Sequence, residues 1–362
     1  MKPTLTLLTA LLLAPLAALR AADTPSAALG VAGNLAFETS AFMKETVQAG
    51  RKAPPKDWQS QSGAMGLNAK WETDKSSPWF IEHQRIGGDF VAAGIAFGNK
   101  DEVRWGLKVL EWGFARMDAD RMFNHHDCYH SASFFVESTA HALLLIEASP
   151  LRLEFANQVD ALKPKLLTAA RWMVRPDVDA LVWSGKKPAN SKLPIGSPEL
   201  VYGHRRYLDA AAIGETGVLC NDKDLIEKSV AIIRNGIAFQ RPDGVNPEKG
   251  GPDTSYQGVG LYYACRYYQV VAGEILRAEM KPMFDKGFGW LLTRIKPDGT
   301  VDDTGNTRTG PGGELGRNGK PKTVDYGFMT VCLAHWAMLT RNAELETTAR
   351  RLYEADRRLR AR

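Results

Sequence analysis

Four times along the chain, a stretch with one apolar face at helical spacing runs into a turn and a polar loop, then a second stretch that is apolar on every side. Ile226, Val230, Ile233 and Ile237 recur at helical spacing and stop at Arg241-Pro242-Asp243-Gly244. Phe284, Phe288, Leu291 and Ile295 repeat the pattern and stop at Lys296-Pro297-Asp298-Gly299, 55 residues further on. Upstream, Leu166, Ala170 and Met173 precede Arg175-Pro176-Asp177, and Val103, Leu107, Leu110 and Phe114 end near Asp118. Proline and glycine so placed end helices. The partner stretches, predicted as helices over 132–148, 208–220, 258–273 and 327–339, are apolar all round, the mark of a buried helix. Amphipathic helices alternating with apolar ones predict an all-α fold, an (α/α)n toroid or incomplete α/α barrel of about six or seven helical hairpins. An open helical solenoid is the competing architecture, because repeats of this period build such arrays too.

The N-terminus reads as an address. Lys2 precedes an apolar run from Leu5 to Leu19, broken by Thr6, Thr9 and Pro15, and small residues Ala21 and Ala22 follow before Asp23. That order is a charged segment, a short apolar segment and a small-residue cleavage site, so residues 1–22 are expected to be a secretory signal. The run is short of the roughly 20 apolar residues of a membrane span. Residues 23–362 are expected to form one catalytic domain, periplasmic or secreted, with no membrane attachment once the signal is removed. Oligomeric state is not legible.

Loss of Lys2 and Arg20 takes the formal net charge from +5 to +3. Arginines cluster near the C-terminus, but Glu354 and Asp356 interleave with them as on a solvated helix face, so nucleic acid is not an expected partner. Cys128, Cys220, Cys265 and Cys332 are far apart and form no CxxC, so no zinc cage is signalled, and no cofactor or metal is expected.

In a toroid, the loops leading into the inner helices gather at one mouth. The first reads Asn124-His125-His126-Asp127-Cys128-Tyr129-His130, holding three of the seven histidines. Without HExxH spacing it makes a poor metal site; Asn124 and a neighbouring histidine are better read as neutral donors to an anionic group, or as ordinary turn residues. The second loop sets His204 beside Arg205 and Arg206, flanked by Glu199, Tyr202 and Tyr207. An arginine fork suits a carboxylate, and either arginine could instead pair with Glu199. The third loop brings Asp253 and Tyr256 to the entrance of an inner helix. The fourth holds Glu314 and Arg317 and repeats the Asp/Tyr entrance at Asp325-Tyr326; of the two tyrosines, Tyr326 suits a packing role better. Arg85, in Glu82-His83-Gln84-Arg85, is a further candidate for the mouth. No GxSxG, phosphate loop or dinucleotide fingerprint occurs. Glu199, Asp253, Asp302 and Glu314 keep a glycoside hydrolase with paired carboxylates in contention, and Trp58, Trp71, Trp79 and Trp105 could serve a non-catalytic glycan binder.

With Asn124-His125, His204-Arg205-Arg206 and Asp253-Thr254-Ser255-Tyr256-Gln257 in place, the chain from about Trp71 to Leu339 resembles the α/α-toroid polysaccharide lyases of the alginate, glucuronan and chondroitin AC type. It lacks the Asn-Asn-His-Ser-Tyr-Trp run of the alginate lyases, and a chondroitinase-like histidine shortly after an Asp-Gly turn. The resemblance implies β-elimination on an acidic polysaccharide. Asn124, His125 and one of Arg205 or Arg206 would neutralise a uronate carboxylate, and His204 or Tyr256 would take the proton, with Tyr256 returning one to the leaving oxygen. It extends the substrate-contacting set to His130, Tyr202, Tyr207, Glu314, Arg317, Tyr326 and Arg85. The hydrolase alternative would act on unsaturated uronyl oligosaccharides.

Overall fold

The computed structural model describes residues 42, 44–45, 53–118, 122–123, 128–184, 199–316 and 319–361. The expected signal, Asn124 to Asp127, and Arg317 lie outside them.

The described helices are α1 (Leu67–Thr73), α2 (Ile86–Phe97), α3 (Lys100–Phe114), α4 (Cys128–Ala148), α5 (Ala156–Met173), α6 (Pro176–Val182), α7 (Gly203–Cys220), α8 (Lys223–Phe239), α9 (Thr254–Val270), α10 (Glu274–Thr293), α11 (Tyr326–Thr340) and α12 (Ala343–Arg360). Two-residue strands, Met117–Asp118 and Met122–Phe123, pair antiparallel before α4. Five hairpins account for most of this order. Inner helices α2, α4, α7, α9 and α11 pack side by side in sequence, and each is backed by the helix that follows it: α3, α5, α8, α10 and α12.

The layers follow from side-chain chemistry. In α4, Ala132, Phe135, Val136, Ala140 and Leu143 point in different directions, yet all are buried. In α3, Val103, Leu107, Leu110 and Phe114 are buried along one stripe, while Asp101 and Glu111 stay exposed. At roughly 1.5–3 kcal/mol for each large apolar side chain withdrawn from water, this patterning outweighs weak local preferences.

Three hairpins close with one turn. A residue with positive φ (Gly98 at 66°, Asn221 at 53°, Arg341 at 55°) ends the inner helix. The next residue caps the outer one: Asn99, Asp222 and Asn342 each accept a hydrogen bond from a first-turn N–H. Their own N–H groups donate back at 2.8 Å to the carbonyls of Gly94, Gly217 and Ala337, a six-residue helix stop.

Both Pro-Asp-Gly sequences form the same turn. Gly244 N–H donates to Arg241 O, and Gly299 N–H to Lys296 O, each at 2.9 Å. Both glycines have positive φ, and each lies so close to the backbone of the next outer helix (Lys286 or Arg351) that a Cβ would collide. The third Pro-Asp behaves differently. Pro176 starts α6 instead of ending a helix, because Val178 follows where the others have glycine and proline suits a first helical position.

The interior closes on itself. In an open solenoid each repeat touches only its neighbours. Here α4 and α9, with α7 between them in order, meet directly: Arg266 donates to Glu137 at 2.8 Å, and the rings of Phe134 and Tyr263 lie 5.9 Å apart. The fold is an incomplete α/α toroid, five of whose hairpins fall among the described residues. Phe42 and Glu45 pack against α12 through Tyr353 and Arg350. No helix among the described residues is long and apolar enough to cross a membrane.

Candidate active site

Three inner helices, α4, α7 and α9, begin about a turn earlier than their apolar runs suggest. His130, His204 to Tyr207 and Tyr256 therefore sit in first helical turns and not in loops. Asp253 is the reason at α9, where its carboxylate caps the helix by accepting from Tyr256 N–H at 3.0 Å.

The first turns of α4, α7 and α9 bring His130, His204 and Tyr256 together. The His204 ring lies 4.7 Å from that of Tyr256 and 5.8 Å from that of His130. Residues 246–251 strap themselves across the start of α7, with Gly203 N–H donating to Pro247 O and Lys249 N–H to Val201 O. That strap puts Glu248 beside His204, and both are fully buried. Glu248 Oε1 accepts from the backbone N–H of His204 at 2.9 Å and pairs with its Nδ1 at 2.7 Å.

Burial pushes the His204 imidazole down to about 4, outweighing the opposing pull of Glu248, while Arg308 and Arg205 push it further down. At neutral pH the ring is therefore uncharged. Beside a carboxylate the proton belongs on Nδ1, which leaves Nε2 as a lone-pair acceptor. Nε2 is buried and has no hydrogen-bond partner among the described residues. His130 is also held well below its ordinary value, by burial first and then by Arg205, His204, Arg308 and Arg85.

A second strand of interactions crosses the mouth. Asp253 Oδ2 accepts from the N–H groups of Arg308 and Thr309, both at 2.9 Å, tying the 307–309 segment to the α9 cap. Arg308 is thereby laid over Tyr256, its guanidinium carbon 3.7 Å from the ring centroid, with Nη1 3.0 Å from Glu248 Oε2. Burial works against its charge, yet Tyr256, Glu248 and Glu314 overrule burial and raise its pKa. Lys322 Nζ donates to the Tyr256 hydroxyl at 3.3 Å. Glu314 binds Lys322 and Lys249 at 2.5 Å each, and Arg308 at 3.2 Å. Burial alone would raise the Glu314 carboxyl, but these donors hold it at about 2.

The structure sorts the adjacent arginines. Arg205 stacks 4.0 Å from the Tyr202 ring and pairs with Glu199 at 2.9 Å, on the side of His130 and His204. Arg206 turns toward the outer layer, donating to Tyr202 O, Leu200 O and Asn235 Oδ1 and lying over Phe239. Its predicted contact with substrate gives way to a role in fixing the entry to α7. Tyr207 is likewise corrected: it is fully buried, its hydroxyl bonded to Gly236 O and Asn246 Oδ1. The half-buried Tyr326 has a structural duty, its hydroxyl accepting from Val301 N–H at 3.1 Å.

Arg85 reaches the site's edge over Phe134, 4.4 Å from its ring, and Phe134 touches His130. Trp105 is buried, and Trp71 and Trp79 pack edge-on against Trp112. Cys220, Cys265 and Cys332 are free thiols.

Sequence reasoning missed Glu248, Arg308, Lys249 and Lys322. Glu248 and Lys249 directly precede the third loop, and Arg308 and Lys322 lie at the two ends of the fourth, so the signal was charge at the loop edges.

No family model matches the chain, and no curated protein matches it. Among solved structures, alginate lyase A1-III from Sphingomonas species A1 is similar at 12% sequence identity and a TM-score of 0.49, over 87% of this chain and 90% of that one.

Proposed function

We propose that the protein is a polysaccharide lyase that cleaves a uronate-containing polymer, such as glucuronan or alginate, by β-elimination. Tyr256 carries the reading. The residue is half-buried at the mouth, its hydroxyl hydrogen-bonded to Lys322 and its ring covered by Arg308. Lys322 and Arg308 thus set two cations beside the oxygen that would exchange the proton.

The chemistry balances at that oxygen. The phenolate takes the proton beside the uronate carboxylate, the electron pair forms a C4–C5 double bond, the glycosidic C4–O bond breaks, and the phenol returns the proton to the departing oxygen. Charge building on the carboxylate needs donors; Arg205 and Arg308 supply it from the described residues, together with Asn124 and His125 in the reading from sequence. His204, wholly buried behind Tyr256 and held by Glu248, is a positioning residue.

The carboxylates weigh against the hydrolase alternative. Hydrolysis of this kind needs one protonated carboxyl as acid. Glu314 is held ionised by three cations, Glu248 is bound to His204 and Arg308, and Asp253 is spent on caps. Asp209 is pushed up to about 7 by burial, but it lies fully buried beside Ser133, away from solvent. An exported address, read from residues 1–22, suits an enzyme that meets large acidic glycans.

The test is incubation with a panel of uronate polymers, following ultraviolet absorbance of the new double bond. A lyase raises the signal, a hydrolase leaves new reducing ends without it, and a glycan binder gives neither.

A further inference from the structure

Well below the mouth, the toroid's interior holds a second group of ionisable side chains that the proposed reaction does not use. Glu137 and His141 lie one turn apart on α4, and Glu215 faces them from α7. All three are buried, and one potential ligand atom from each lies within 4.8 Å of the others. Seven residues of α4 separate Glu137 from His130, a rise of about 10 Å, so this cluster is distinct from the His204–Tyr256 site.

The cluster's partners leave charge over. Arg266, from α9, supplies one guanidinium to Glu137 at 2.8 Å. Among the described residues, Glu137 pairs with Arg266, and Glu215 with His141, an imidazole that is a cation only when protonated. Glu215 is fully buried, and its Oε1 has no hydrogen-bond partner among the described residues. A buried, unpartnered carboxylate oxygen calls for a missing partner.

We propose that Glu137, His141 and Glu215 bind a zinc ion that ties α4 to α7, with Arg266 as the group that orients Glu137. One imidazole and two carboxylates are a donor set zinc accepts, whereas calcium takes oxygen ligands alone. His141 Nδ1 and Glu215 Oε2 are 3.1 Å apart. Two ligands at about 2.0–2.1 Å on a tetrahedral ion are separated by roughly 3.3 Å, so that pair needs little movement. Glu137 closes in from one turn earlier on the same helix face. The sequence reading expected no metal and looked for one only in the histidine-rich loop; the Glu-x-x-x-His spacing on an inner helix was the overlooked signal. Because the site is enclosed, the ion enters as the chain folds, and it braces the helices whose first turns carry His130 and His204.

The experiment measures metal in full-length protein produced in zinc-supplemented medium and passed over a chelating resin. The expected result is one zinc per chain in the wild type, with X-ray absorption showing a nitrogen and oxygen shell at about 2.0–2.1 Å, and loss of the ion in Glu215→Gln and in His141→Gln. Wild-type protein that folds free of zinc overturns the proposal without recourse to the variants. Retention of the same zinc content by folded Glu215→Gln overturns it as well, since the ion then sits elsewhere. Elimination activity is a separate readout, so failure of this site leaves the lyase assignment untouched.

Discussion

The entrances to α9 and α11 are built from the same two residue types and do different work. Asp253 caps α9 and Asp325 caps α11, each through the N–H three residues on. Tyr256 is the third residue of its helix, whereas Tyr326 is the first. Two positions on an α-helix amount to about 200° of rotation, so the phenols face opposite ways. Tyr256 meets Lys322, Arg308 and His204, while Tyr326 accepts a backbone hydrogen bond from Val301. A shared motif is thus no guide to a shared role until the helical phase is known.

Tyr256→Phe puts the comparison under the greatest strain. Turnover should fall about 10²–10⁴-fold, the usual worth of a positioned acid–base group, with the unfolding midpoint unchanged. Tyr326→Phe should leave turnover alone and cost about 1 kcal/mol of stability in urea unfolding, for one lost hydrogen bond. If the two results were exchanged, the roles assigned here would be exchanged too.

The caps give the next largest effect. Asp325→Ala should cost about 1 kcal/mol. Asp253→Ala should cost about 2–4 kcal/mol, because the same carboxylate also anchors Arg308 and Thr309. It should slow turnover as well, since Arg308 loses its anchor; equal costs at the two caps would show that the anchor is idle. Lys322→Met should lower turnover roughly tenfold with little change in fold, a loss of one cation beside the phenol. Unaltered rates would remove Lys322 from the site.

Dependence on pH is the gentlest probe. His204 is lowered to about 4 in the folded chain. An unfolded chain takes up that proton near pH 6.5. Stability from this group is therefore complete above about pH 6.5 and is lost as pH falls toward 4. Calorimetry across that window should show a falling midpoint that His204→Gln flattens. An acid limb in kcat/KM centred near pH 6.5 and abolished by the same variant would contradict a neutral His204.

Much of the fold was legible because burial acts on pattern. The apolar stretches marked inner helices, and glycine after Pro-Asp marked two turns, while Val178 turned the third into a helix start. The hairpin stops at Gly98-Asn99, Asn221-Asp222 and Arg341-Asn342 were not read from the sequence, because they share conformation more than sequence. At the site, His204, Arg205 and Tyr256 lie at the helix entrances where the sequence pattern pointed. Arg206 and Tyr207 were misplaced for the reason that separates Tyr256 from Tyr326: neighbouring residues on a helix point about 100° apart. Glu248 and Arg308 became visible only once the strap across α7 and the Asp253 anchor were seen, and both are long-range contacts.

The central claim is that Tyr256 performs an elimination on a uronate polymer. Matched samples of wild type and Tyr256→Phe, given glucuronan, alginate and a glycosaminoglycan, should be followed by both ultraviolet absorbance and reducing-end release. The account predicts that the two signals rise together for at least one polymer in the wild type, and that neither rises in a folded Tyr256→Phe that still binds it. Reducing ends without absorbance, or full elimination by Tyr256→Phe, would contradict it.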